Sequence, residues 1–159
     1  MLELDLVDTH IQANECLDIS KQQCLATLKR LNLSNNKIGL QGFINLFQLN
    51  NTKLSKIEHL VLYNCGISMF KTLKVKKTKQ FEFPKLCSLK LRHANFSYNH
   101  CFIDEDMGDY LQKFIMGASL SELILVQTLA GKTDTDEVMR GSPNIRLLDF
   151  SDNPYVHSV

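Results

Sequence analysis

"LKRLNLSNNKIG", residues 28 to 39, places leucines at Leu28, Leu31 and Leu33 and follows them with Asn36 and Ile38. Alternation at Leu31 and Leu33 is the period-2 pattern of a short strand with one buried face. A short polar side chain at Asn36 suits the turn that leaves such a strand, because it can bond backbone groups there. One strand of this length cannot keep its apolar face dry. The pattern therefore requires neighbours of the same kind, stacked so that each covers the next.

A scan for L-x-x-L-x-L-x-x-N/C/T-x-I, with apolar substitutes allowed, finds six frames. They are Met1-Leu4-Leu6-Thr9-Ile11, Leu28-Leu31-Leu33-Asn36-Ile38, Ile57-Leu60-Leu62-Cys65-Ile67, Leu86-Leu89-Leu91-Ala94-Phe96, Leu120-Leu123-Leu125-Thr128-Ala130 and Ile145-Leu148-Phe150-Asn153-Tyr155. Their starts are separated by 27, 29, 29, 34 and 25 residues. In this register Ala94 stands where the other frames carry Thr9, Asn36, Cys65, Thr128 and Asn153. The fourth turn is expected to be hydrated or irregular, since an unmet buried backbone group costs about 1–3 kcal/mol.

Helical spacing fills the intervals. Leu40, Phe43, Ile44 and Phe47 in "GLQGFINLFQLNN" fall on one face. "DEDMGDYLQKFIMG" offers Asp104 or Asp106 as an N-cap and Met107, Leu111, Phe114 and Ile115 as a face. "NECLDISKQQCLATL" directs Leu17, Cys24, Leu25 and Leu28 inward after Asn14 as cap. The longer insertions, 71–85 and 97–105, fall on connections. Strand plus helix, repeated, predicts an α/β architecture of about six repeats, with a parallel sheet inside a curve and helices outside.

The residues at this point carry a resemblance. The chain resembles leucine-rich repeat proteins, closest to the ribonuclease-inhibitor-like subclass: Asn36-x-Ile38-xxx-Gly42-xxx-Leu46 follows its helical half, and Cys65 takes the place of Asn36 in the next repeat. The resemblance implies a curved right-handed horseshoe segment, a solenoid with the sheet concave and the helices convex. It also implies a class that includes inhibitors, GTPase regulators, actin-associated proteins, immune sensors and ubiquitin-ligase substrate receptors. The fourth and fifth repeats depart from the pattern, having no clear equivalent of Gly42.

Composition bounds the rest. A chain of 159 residues, 44% hydrophobic and 22% charged, reads as a single domain over 1–159. The strand pattern already runs at Met1 and still runs at Tyr155, so an uncapped repeat array, or part of a longer chain, is expected, with end-to-end contact to another chain or to that remainder. The formal charge of +1 exerts no general pull on nucleic acid or membranes. No apolar run approaches the roughly 20 residues of a membrane span. "MLELDLVDTH" carries acids where a secretory signal carries basic and then apolar residues. Five cysteines, an odd number without a CxxC pair, read as reduced thiols. Asn32, Asn50 and Asn95 begin N-x-S/T triplets that matter only in a secreted chain. A cytoplasmic or nuclear location is expected.

With the frames as above, the strand residues that escape the core form columns: Asp5, Asn32, Val61, Lys90, Ile124, Asp149; then Val7, Ser34, Tyr63, Arg92, Val126, Ser151; then Asp8, Asn35, Asn64, His93, Gln127, Asp152. Val61, Tyr63, Ile124 and Val126 would flank Lys90, Arg92 and His93, an apolar and basic patch suited to a protein partner with an acidic segment. The competing reading is a surface with no dedicated partner, or one covered by the rest of a longer chain. The run "KTLKVKKTK", with Lys71, Lys74, Lys76, Lys77 and Lys79, reads as a solvated loop rather than a nucleic-acid site, since no stacking aromatics interleave the lysines.

Catalysis finds little support. His59 and Cys87 could approach across the sheet beside His93, but no third group orients the imidazole and an open ribbon excludes no water. Asp104, Glu105, Asp106 and Asp109 lack the spacing of a calcium loop. No phosphate-binding glycine motif occurs. The expectation is a non-enzymatic interaction module, an adaptor, scaffold or recognition subunit, with no cofactor and no metal. The alternative is a regulator that stimulates a small GTPase.

Overall fold

The computed structural model describes residues 2–47, 54–67, 92–99, 120–130, 136, 138–140 and 142–153. Six three-residue strands, β1 (Glu3–Asp5), β2 (Arg30–Asn32), β3 (His59–Val61), β4 (His93–Asn95), β5 (Glu122–Ile124) and β6 (Leu147–Asp149), form one sheet. All pairs are parallel and the order is β1-β2-β3-β4-β5-β6, so each strand pairs with its neighbours in sequence. This is an α/β chain built on a single parallel sheet.

The period-2 reading is realised in the register. Leu4, Leu31, Leu60, Ala94, Leu123 and Leu148 are consecutive partners across the strands. Leu31, Leu60, Ala94 and Leu123 are fully buried, as are Leu33, Leu62, Phe96 and Leu125 two residues on, apart from a trace of exposure at Phe96. Burying one leucine contributes roughly 1.5–3 kcal/mol, so these two apolar columns are the main cohesive element of the sheet. Each unit then turns through one left-handed residue at an equivalent place: Asp8, Asn35, Asn64, Tyr98, Gln127 and Asp152, with φ between 50 and 58°. Asn and Asp suit that conformation best; tyrosine and glutamine there are held by their surroundings.

The fourth frame needs correction. β4 is His93–Asn95 rather than a strand around Leu89 and Leu91, which lie outside the described residues. Sliding the frame by five residues gives Leu91-Ala94-Phe96-Asn99-Cys101. The long interval of 34 residues thus separates the third unit from the fourth, Ile57 to Leu91, rather than the fourth from the fifth. Ala94 is a buried sheet residue, and the larger Phe96 two residues on is buried too, its ring edge-on to Phe43 with centroids 6.0 Å apart. The predicted insertion at 97–105 begins too early, since Ser97, Tyr98 and Asn99 form the turn leaving β4.

The turn that was expected to lack a polar group has one in Asn99. Its Nδ2 donates to the carbonyls of Leu62, Phe96 and Ser97 at 2.6, 3.0 and 3.2 Å, while its Oδ1 accepts the N–H groups of Cys65 and Ile67, each at 3.0 Å. Asn36 does the same for Leu6, Leu33, Ser34, Thr9 and Ile11, and Asn153 for Leu125, Phe150, Ser151, Thr128 and Ala130. Each asparagine therefore closes its own turn and the turn before it. The alternate units need only a small side chain: the Thr9 and Thr128 hydroxyls donate to Leu6 and Leu125 carbonyls, and the Cys65 thiol reaches the Leu33 carbonyl at 3.1 Å. The architecture repeats every two units.

Two helices precede the second and third strands. α1 (Ala13–Lys21) is capped by Gln12 rather than Asn14, with the Glu15 carboxylate accepting the Gln12 N–H at 3.0 Å. It buries Cys16 and Ser20, while Leu17 is half-buried; Leu25 and Leu28 are buried as predicted and Cys24 is exposed. In α2 (Gly39–Leu46), Leu40, Phe43 and Ile44 are buried, as is Phe47 just beyond it, as the spacing predicted. Gly42 sits where α1 crosses: a β-carbon there would lie 3.2 Å from both Ala13 Cα and Cys16 Sγ and 2.9 Å from Ile38 Cβ. The predicted helix around Met107–Ile115 lies outside the described residues.

Candidate functional site

The face of the sheet turned away from the leucine columns is built from the residues between them, and it alternates like the turns behind it. Units two, four and six carry polar pairs: Asn32 and Ser34, Asn95 and Ser97, Asp149 and Ser151. In each, the first side chain accepts the N–H two residues on, at 3.1, 2.9 and 2.9 Å. The Ser34 hydroxyl also donates to Asn32 Oδ1 at 2.6 Å, and the Ser151 hydroxyl to Asp149. The Ser151 hydroxyl and, after it, the Ser151 N–H hold the Asp149 carboxyl below its ordinary pKa. These pairs are turn fasteners, so much of their polarity is spent within the fold. Units three and five instead carry Val61 with Tyr63 and Ile124 with Val126, all half-buried.

The predicted patch is therefore divided. Val61, Tyr63, Ile124 and Val126 lie on the sheet face as expected, but Asn95 and Ser97 stand between the two apolar pairs, where Lys90 and Arg92 were expected. The pairs are two strand steps apart, roughly 10 Å. The five-residue slip is the cause. Lys90 lies outside the described residues, as do the lysine run, Cys87 and the acidic group at 104–109.

Arg92 is exposed one residue before β4, at the edge where the strands begin. There it lines an open depression of about 590 Å³ with Ser121, Pro143, Asn144, Ile145 and Arg146. His93 is the first residue of β4, in direct register with His59 on one side and Glu122 on the other. The two imidazoles face each other with centroids 5.7 Å apart, and His93 Nδ1 lies 2.7 Å from Glu122 Oε2. Beside them Lys29 pairs with Glu58 at 3.0 Å, and this lysine above all lowers the Glu58 pKa, with Arg92 and His59 assisting.

Tyr98 was missed. It is 42% exposed at the left-handed turn after β4, and its ring meets Tyr63 at 4.8 Å between centroids, tilted by 50°. The signal that would have found it is the tripeptide Asn95-Phe96-Ser97, which repeats Asn32-Leu33-Ser34 and makes Tyr98 the fourth unit's equivalent of Asn35. With Val61 and Val126 nearby in the register, the tyrosines make an aromatic-centred surface at the end of the strands.

The described thiols are chemically quiet where they are buried. Burial pushes Cys16 up to about 12 and Cys65 up to about 11, so neither offers a thiolate near neutral pH. Among the described residues no group of three or more His, Cys, Asp or Glu side chains is arranged to enclose a metal ion. Among them also, no helix is long and apolar enough to cross a membrane. No family model matches the chain, and no curated protein matches it.

Proposed function

We propose that the chain is a leucine-rich repeat solenoid of the ribonuclease-inhibitor-like type, and that it works in the cytoplasm or nucleus as a non-enzymatic module binding a protein on its concave sheet face. The observation that carries this reading is the Tyr63–Tyr98 pair, set among the half-buried Val61 and Val126 on an otherwise fastened polar face. Buried aromatic anchors ringed by less important contacts are how protein interfaces concentrate their binding energy. Rigid rings on a sheet also lose little entropy when a partner docks. Arg92, exposed at the strand entry, adds a preference for acidic groups at the rim, where charge governs encounter more than affinity.

Affinity capture from cell extract with the parent chain and a Tyr63→Ala/Tyr98→Ala variant tests it. Losing the ring contact costs about 0.5–1.5 kcal/mol of stability, so the melting temperature falls only slightly. Partner capture weakens tenfold or more, about 1.4 kcal/mol of binding. Undiminished recovery of every specific partner by the folded double variant overturns the reading.

A further inference from the structure

We propose that His59 and His93 form an open two-histidine site for a borderline divalent transition metal ion such as Zn²⁺, Ni²⁺ or Cu²⁺, with Glu122 orienting His93. Three observations converge on it. The two histidines are direct register partners on adjacent parallel strands, so their side chains leave the sheet side by side. Their rings are already 5.7 Å apart between centroids, inclined by 32°. With metal–nitrogen bonds of about 2.0–2.1 Å, two imidazoles on one tetrahedral ion have centroids roughly 5 Å apart, so a small rotation of the exposed His59 ring towards the half-buried His93, without backbone movement, brings a nitrogen of each to one ion.

The third observation is the Glu122 carboxylate, 2.7 Å from His93 Nδ1. A ligating histidine characteristically gives its second ring N–H to a carboxylate, which fixes the tautomer and makes the other nitrogen the ligand. Here that nitrogen is Nε2, left facing away from Glu122. Two protein ligands leave the remaining positions to water, which is consistent with the absence of a three-ligand cluster among the described residues. Around the site, Arg30 is the register partner of His59 and opposes a cation, while Glu122 and the Lys29-paired Glu58 favour one. The sequence already put the two histidines on adjacent strands; their direct register came only with the corrected position of β4. The site is independent of the protein-binding reading.

The full chain without an affinity tag is titrated with Zn²⁺ and with Cu²⁺ in a non-chelating buffer, by calorimetry and by the Cu²⁺ electronic and spin-resonance spectra. One equivalent per chain with nitrogen ligation is expected. His59→Gln and His93→Gln each weaken binding at least tenfold, and Glu122→Gln weakens it about tenfold while leaving both nitrogens in the spectrum. Circular dichroism verifies that the variants, substituted on an outward-facing edge, remain folded. Unchanged stoichiometry and affinity in a folded His59→Gln/His93→Gln double variant, or absence of nitrogen ligation in the parent chain, overturns the proposal.

Discussion

At the scale of single residues, the asparagines at Asn36, Asn99 and Asn153 do more than their surface-like polarity suggests. Each is buried and each donates or accepts in five backbone hydrogen bonds that tie two successive units together. Removing such a side chain orphans several buried backbone groups, each at a cost of about 1–3 kcal/mol. Asn99→Ala is expected to destabilise the chain by on the order of 3 kcal/mol or more in chemical denaturation. Asn99→Ala as stable as the parent would return the fourth strand to Leu89. Legibility at this scale was uneven: Asn36 was read correctly because its unit is regular, whereas Asn99 was hidden by a run of leucines at Leu86, Leu89 and Leu91 that fits the same pattern five residues early.

At the scale of elements, α1 and α2 meet through a glycine. Gly42 has an ordinary helical backbone, so its necessity is one of space: the added carbon would meet Ala13 backbone and Cys16 sulfur at 3.2 Å and Ile38 at 2.9 Å. Backbone cannot swing aside as a flexible side chain can. Gly42→Ala gains about 1 kcal/mol of helix propensity but forces the helices apart, and overpacking of this kind costs about 1–3 kcal/mol. A lowered melting temperature is expected, with far-ultraviolet dichroism nearly retained; a raised one would mean that the helices yield without cost. The glycine's position in a helical pattern was visible in the sequence. Its partner across the interface was not, because nothing local to Gly42 names Ala13.

At the scale of the whole molecule, the titrating groups confine stability to a window of pH. Cys16 and Cys65 are raised from 9.0 to about 12 and about 11, chiefly by burial. The unfolded chain gives up these protons first, so their contribution is intact below about pH 9 and is lost as pH rises from there towards 12. Asp149 and Glu58 are lowered, by the Ser151 donors and by the Lys29 ammonium respectively. Their contribution is present above the ordinary carboxylate range and is lost as pH falls through the lowered values. Denaturation midpoints measured across pH should form a plateau between these limits. In Cys16→Ala the alkaline decline should be shallower, even though the plateau itself lies lower because of the space vacated. An equally steep decline would assign the effect to other groups.

The sequence by itself determined five of the six short strands and their shared buried face, because these are written in spacings of two to five residues where local sterics and burial decide; the alternation of Asn36, Asn99 and Asn153 with Thr9, Cys65 and Thr128 emerged only once Asn99 was placed. It also determined the apolar pairs Val61 with Tyr63 and Ile124 with Val126, which alternate with residues of the core. Only the tertiary structure decided which residues of the fourth unit enter the sheet, since Leu89-x-Leu91 and Ala94-x-Phe96 are locally equivalent and closing the Asn99 hydrogen bonds across to the Cys65 turn distinguishes them. From that one choice followed the separation of the apolar pairs by Asn95 and Ser97, the tilted contact of Tyr98 with Tyr63 and the alignment of His59, His93 and Glu122. A slip along a strand changes no local pattern, yet it exchanges every neighbour across the sheet.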